Sequence, residues 1–319
     1  MDFVLVIKYV REMINIEHEY EMKEQYDFSD GERGKFYNPD AIFHVKKSHN
    51  KQMDTIFEHE GRNVFGHNAA GYDNARPDYP EEVFAILMVS GALYTGATTL
   101  EVGAGNGLAT KRLIELGANP ITVIEPDSRF SKQLHALPRP HNCNLRVIHE
   151  AFEDVRFEDD VFDLVVIATA FHWLDPITRV EKLHQIVRTG GHFALFWNVF
   201  QDLNKADPFH EATQHILAHL SASPSGKPNA LPFALDRQAR EMEFLSQGFE
   251  LVIYLDLHWT LTLDIQQVRQ LYESFSQIAR LPDDERTQVL DKLVHIAETE
   301  FNGTVQRNMT TPLYLFRKI

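Results

Sequence analysis

The sequence predicts an α/β protein built on a doubly wound, mostly parallel sheet. Two features of residues 98–200 predict it. Short runs of β-favouring apolar residues alternate with stretches of helical periodicity, and the first run opens into glycines at alternating positions before a helix begins. A third feature is the stretch Phe162–Ala168, apolar at every position but Asp163, as a strand covered on both faces must be.

The elements follow in order. Leu100 and Val102 lie in a strand, Gly103, Gly105 and Gly107 form a turn needing unusual backbone angles, and Leu108 to Leu116 reads as a helix. Ligands of such sheets bind at the carboxyl ends of the strands, so this turn is the floor of a nucleoside site. A dinucleotide fingerprint requires a glycine where Leu108 stands, so that the helix can pack closely. Glu101, two residues before the first glycine, would repel a pyrophosphate but can help hold an ammonium group. The pattern Glu101-x-Gly103-x-Gly105-x-Gly107 resembles the first motif of the class I S-adenosylmethionine-dependent methyltransferases.

The later blocks keep that family's order. Ile121–Ile124 is a second strand ending in Glu125, where a carboxylate can accept two hydrogen bonds from a ribose diol, a placement shared with dinucleotide-binding proteins. Asn144–Ile148 reads as a third strand leading into Glu150–Asp154. Phe162–Ala168 is a fourth, with Phe171-His172-Trp173 after it. Leu183 to Gly191 reads as the end of a helix capped by glycines, and Phe193–Trp197 as a fifth strand. Ahead of the first motif, Phe65 to Pro80, with Tyr72, Arg76, Pro77 and Tyr79, is similar to the N-terminal cover of small-molecule members such as the trans-aconitate and menaquinone methyltransferase-like group.

The resemblance implies a Rossmann-like sheet of seven strands with an antiparallel last strand and helical insertions. It implies S-adenosylmethionine as cofactor, contacted by Tyr72, Arg76, Glu101, Gly103, Gly105, Gly107, Glu125, Pro126, Phe152, Glu153 and Ala168. Tyr72 and Arg76 match positions that close over the methionine end, and Phe152 and Glu153 lie in the loop that holds the adenine. His172, after the carboxyl end of the fourth strand, is the candidate general base, or else a lining residue beside Trp173. Asp163, at the other end of that strand, reads as structural.

Composition narrows the partners. The 319 residues carry 31 Lys+Arg against 46 Asp+Glu, a formal net charge of -15 that suits a nucleic acid poorly and leaves a small-molecule acceptor as the expectation. The one cysteine, Cys143, excludes an intrachain disulfide and a thiolate-rich metal site, and points to a reducing cytoplasm. Phe3–Ile7 is too short for a secretory core and no run is long enough to span a bilayer, so no membrane is expected.

Residues 1–60 read as an extension, mobile or serving as a protein-partner module. Residues 24–40 weakly resemble a short motif of small bacterial proteins associated with toxin–antitoxin pairs. Residues 61–319 form the methyltransferase domain, with substrate-side insertions at about 200–248 and 262–300. Asp207–Leu220 reads as a helix and Ser221–Pro232 as a loop rich in helix breakers. Phe249–Trp259 is a sixth strand, and Thr310–Phe316 the last. Val268, Leu271, Tyr272, Phe275 and Ile278, then Val289, Leu290, Leu293 and Ile296, recur at helical spacing and are candidate core.

Methyl transfer needs nucleophile, methyl carbon and sulfur held in line and no metal, with oxygen slightly preferred as acceptor atom. His215 and His219 are an i,i+4 pair without a His-Glu-x-x-His pattern, and read as an exposed helix face. No Gly-x-Ser-x-Gly turn supports a serine hydrolase. A nicotinamide-dependent oxidoreductase and a non-catalytic cofactor-binding module are the alternatives.

Overall fold

The computed structural model describes residues 76–220 and 231–319. Tyr72, the extension 1–60 and most of the Ser221–Pro232 loop lie outside the described residues. Helix α1 (Glu81–Val89) precedes strand β1 (Thr99–Val102), which leads through the glycine turn into α2 (Leu108–Glu115). Strand β2 (Ile121–Ile124), helix α3 (Ser131–Ala136), β3 (Leu145–Ile148), β4 (Phe162–Ala168), α4 (Arg179–Ile186) and β5 (Val187–Phe196) follow. The chain continues through α5 (Pro208–Leu217), α6 (Arg237–Leu245), β6 (Phe249–Asp264), α7 (Ile265–Glu273), α8 (Ser276–Ala279), α9 (Asp283–Glu300) and β7 (Thr304–Lys318).

The seven strands form one sheet in the order β3-β2-β1-β4-β5-β7-β6. Strands β1 to β5 pair parallel, and β7 inserts antiparallel between β5 and β6. The order reverses between β1 and β4, where the outward crossovers leave a crevice at the carboxyl ends. Every residue of β1 and β4 is buried, the consequence of helices on both faces.

Two cores flank the sheet. Phe84, Leu113, Phe130, Leu164 and Phe196 pack on the α1–α2 side, and Phe171, Phe193, Phe244 and Phe316 on the α4–α6 side. Each fully buried phenylalanine of this kind contributes about 1.5–3 kcal/mol of transfer free energy. A third core joins Phe209 of α5, Val268, Leu271 and Tyr272 of α7, and Leu290 and Leu293 of α9 to the tips of β6 and β7.

Three boundaries depart from the expectation. Helix α4 stops at Ile186, so Gly190 and Gly191 do not cap it. They lie in a bulge of β5, where Phe162 pairs with Val187 but Leu164 already pairs with His192. Gly190 has φ 76°, and a Cβ on Gly191 would stand 2.8 Å from the Arg188 carbonyl oxygen, so the bulge rather than a helix cap demands the glycines. Strands β6 and β7 run to 16 and 15 residues, beyond the expected Phe249–Trp259 and Thr310–Phe316. Their outer halves pair with each other and rest on the third core, a contact that the local pattern does not encode.

Candidate active site

The glycine turn joins β1 to α2 with φ of 74° at Gly103, 56° at Gly105 and 90° at Gly107, a region that residues with a Cβ rarely adopt. The three glycines have different neighbours. A Cβ on Gly103 would lie 2.4 Å from Ala170 Cβ, so this glycine lets the turn close against the segment leaving β4. One on Gly107 would meet Leu137 at 2.9 Å, whereas one on Gly105 would meet nothing within 4 Å. Gly105 thus opens the concavity, and its neighbours shape it.

Two carboxylates lie beneath the turn. Glu101 is 1% exposed and accepts a 2.6 Å hydrogen bond from the Thr110 hydroxyl. Burial, with Glu125 adding repulsion, pushes its carboxyl up to about 8. Glu125, at the end of β2, accepts from the Gly105 N–H at 2.7 Å and the Asp127 N–H at 2.9 Å. Burial raises it to about 7 in spite of those bonds. Pro126 is half-buried between Glu125 and Asp127, and Ala168 closes β4 as the partner of Phe196. Two buried carboxyls and an open Gly105 fit a nucleoside cofactor bearing a positive charge, and oppose a pyrophosphate.

Phe152 and Glu153, expected at the adenine, are anchored in the fold. The Phe152 ring is buried in the α4–α6 core, and Glu153 accepts from the Asp175 N–H at 2.8 Å. The Lys182 ammonium donates to the carbonyls of Phe152, Glu153 and Val155, and the Asp154 and Val155 N–H groups donate to the Ala151 carbonyl. Asp163, at the far end of β4, accepts from the Thr98 N–H at 2.8 Å, in keeping with a structural role.

His172 lies in the turn that follows the carboxyl end of β4. The ring is 6% exposed, and its Nδ1 accepts the indole N–H of Trp197 at 3.3 Å, which leaves the proton of a neutral imidazole on Nε2. Burial and then the guanidinium charges of Arg179, Arg240 and Arg76 lower it to about 3. In the neutral ring His172 therefore presents a donor at Nε2.

Those arginines come from separate elements. Arg179 of α4 donates to Glu243 and to the Phe171 carbonyl, stapling the segment after β4 to α6. Arg240 stacks 3.6 Å from the Phe233 ring centroid, with its Nε buried and without a hydrogen-bond partner. Arg76 donates to the Ser274 carbonyl at 3.0 Å and lies over the Phe275 ring, joining the segment before α1 to the α7–α8 insertion.

Sequence reasoning missed several neighbours. Thr169, at φ 56°, holds a strained turn just past β4, and its hydroxyl bonds with the Tyr79 hydroxyl at 2.9 Å. Asn198, just past β5, donates to the Pro77 and Asp78 carbonyls and accepts from Thr311. Their positions directly after strand ends are the signal that could have marked them. His215 is exposed on α5, and His219 falls beyond that helix's end at Leu217.

A family model described as a methyltransferase domain matches residues 100–195, from β1 to the end of β5. An uncharacterized methyltransferase of Schizosaccharomyces pombe is 26% identical over 261 residues, 80% of this chain and 97% of its own length. The sarcosine/dimethylglycine N-methyltransferase of Halorhodospira halochloris is 24% identical over 69% of this chain and 74% of its own. A solved structure from Anaeromyxobacter dehalogenans, provisionally assigned as a type II methyltransferase, covers 76% of this chain and 96% of its own with a TM-score of 0.50 at 15% identity, a likeness of fold.

Proposed function

We propose that this chain, which belongs to the class I S-adenosylmethionine-dependent methyltransferases, methylates a small organic acid at a hydroxyl oxygen. The observation that carries the reading is the turn itself. Gly105 opens at the carboxyl end of β1, with the buried carboxyls of Glu101 and Glu125 under it. S-adenosylmethionine, when bound, supplies a methyl group already activated on a sulfonium.

The chain's own residues then bind and orient. Glu125 is suited to the ribose diol, exchanging its bond from Gly105 for the ligand's hydroxyls. Gly103, Gly107, Pro126, Ala168 and the backbone of Phe152 and Glu153 complete the wall, and Arg76 closes it from the N-terminal side; the family resemblance adds Tyr72, which lies outside the described residues. His172 is suited to donate from Nε2 to an acceptor oxygen. Arg179 and Arg240 share the carboxylate of Glu243, and the positive potential that they and Arg76 place at His172 favours an anionic group over an ammonium. That favours oxygen as the receiving atom. A nitrogen acceptor that also bears a carboxylate is the second reading, supported by the N-methyltransferase relative.

Incubation of the protein with S-adenosylmethionine and a mixture of small hydroxy acids, polycarboxylic acids and amino acids tests this directly. A methyl mass gain on a hydroxy acid is expected, and methylation confined to amines would move the assignment to nitrogen. Calorimetric binding of NAD with none of S-adenosylmethionine would overturn the reading altogether. Glu125→Ala should weaken cofactor binding by roughly 1–3 kcal/mol. His172→Ala should lower turnover more than cofactor affinity.

A further inference from the structure

With His172 carrying its proton on Nε2, a hydroxyl or ammonium acceptor needs another base. One other histidine of the described residues is paired with a carboxylate. His258 of β6 has Nδ1 3.2 Å from Asp202 Oδ2, and the two side chains are 37% and 3% exposed. Asp202 accepts at its other oxygen from the Asn204 N–H at 2.9 Å, and Lys205 Nζ stands 3.9 Å away. A carboxylate oxygen this close to Nδ1 favours the tautomer of the neutral ring that carries its proton there, with the lone pair on Nε2. Nε2 has no hydrogen-bond partner among the described residues.

The sheet register locates this pair. Thr310 of β7 is paired with His258 on one side and bridges Val199 on the other, and its hydroxyl is 3.3 Å from His258 Nδ1. Val199 lies two residues beyond Trp197, whose indole bonds His172, so the two side on the same face. His172, Trp197, Val199, Thr310 and His258 thus run along one face above the carboxyl ends of β4 and β5. His258 sits two strand spacings from β5 and three from β4, roughly 10 and 14 Å, a gap that an acceptor held between the His172 and His258 side chains would span. Asp256, two residues earlier on the same face of β6, is bonded by the Tyr254 hydroxyl and does not compete for His258.

We propose that His258, oriented by Asp202, is the base that takes the acceptor's proton, an inference that rests on the methyl-transfer reading. The acceptor's heteroatom bonds the methyl carbon as the carbon–sulfur bond breaks and sulfur keeps the electron pair. The heteroatom's proton passes to His258 Nε2 and from there to solvent. Asp202 is a positioning residue that fixes the tautomer. A carboxylate acceptor would need no such step.

The test measures tritium transfer from methyl-labelled S-adenosylmethionine into the same mixture of hydroxy acids, polycarboxylic acids and amino acids, across pH, with the full chain. His258→Ala should lower transfer about 100-fold while cofactor binding, followed by calorimetry, stays intact, and added imidazole should restore part of it. Asp202→Asn should lower it about tenfold and alter the acid side of the pH profile. Should His258→Ala lose cofactor binding through misfolding, Asp202→Asn and imidazole dependence carry the decision. Transfer in both variants within about twofold of wild type, with an unchanged pH profile, would overturn the proposal. Absence of any transfer by the wild-type protein would instead overturn the methyl-transfer reading beneath it.

Discussion

Gly103 and Gly105 look alike in the sequence and differ in what a methyl group would meet. Gly103→Ala combines φ 74° with a 2.4 Å clash against Ala170, so thermal unfolding should show a loss larger than the roughly 1–2 kcal/mol that the backbone angle alone costs. Gly105→Ala meets open space, and should keep most stability while losing cofactor affinity. Equal stability losses would mean that the two positions share one role. Glu101 and Glu125 make a second residue-scale prediction. Their carboxyls stand at about 8 and about 7 in the free protein, and a bound cation favours the ionised forms. Binding should then release protons near neutral pH, and affinity should rise with pH and level off above the higher value. Calorimetry in buffers of different protonation enthalpy measures this. Affinity that is flat between about pH 6 and about pH 9 would count against it. Stability of the free protein runs the other way. The folded state holds protons that the unfolded chain gives up above the ordinary carboxylate range, so this contribution is present in acid and lost as pH rises through those two values.

At the scale of elements, the insertions are pinned by a buried ion pair. Arg307 of β7 donates to Asp207 at 2.7 Å, to the Tyr272 hydroxyl at 2.7 Å and to the Phe200 carbonyl at 3.1 Å. Asp207 also caps α5 by accepting the His210 N–H at 2.9 Å. Arg307→Ala strands a buried carboxylate and should cost about 3–5 kcal/mol, readable in urea unfolding. A loss below about 1 kcal/mol would show that water reaches the pair. The element scale also marks where legibility in the sequence ended. The helix over Leu108–Glu115 was plain because the glycine turn before it and the apolar spacing within it agree. The end of α4 was misplaced because Gly190 suits a cap and a bulge equally, and only pairing with β4 distinguishes them.

At the scale of the whole molecule, the site is closed by contacts between distant segments. Asn198 holds the Pro77–Asp78 backbone across the end of β5, and Arg76 reaches Ser274 in the insertion. A ligand gripped by both should stabilise the entire fold. At one hundred times its dissociation constant, S-adenosylmethionine should add about 2.7 kcal/mol. For a chain of this size that is a rise in Tm of roughly 4 °C. Differential scanning fluorimetry can check it, with NAD as the control expected to give no shift. A shift with NAD alone would favour an oxidoreductase.

The sequence by itself determined the doubly wound sheet, the glycine turn and the carboxylate at the end of β2, because each is written in consecutive residues whose spacing fixes a local backbone. It could not determine which histidine carries a lone pair. His172 sits in a recognisable block, but the Trp197 indole and three guanidiniums that hold it neutral come from other elements. His258 sits in an ordinary strand, and Asp202, 56 positions earlier, meets it only through the Val199–Thr310 bridge. Charge and hydrogen bonding act through space, so the protonation chemistry of this site was decided by the tertiary structure.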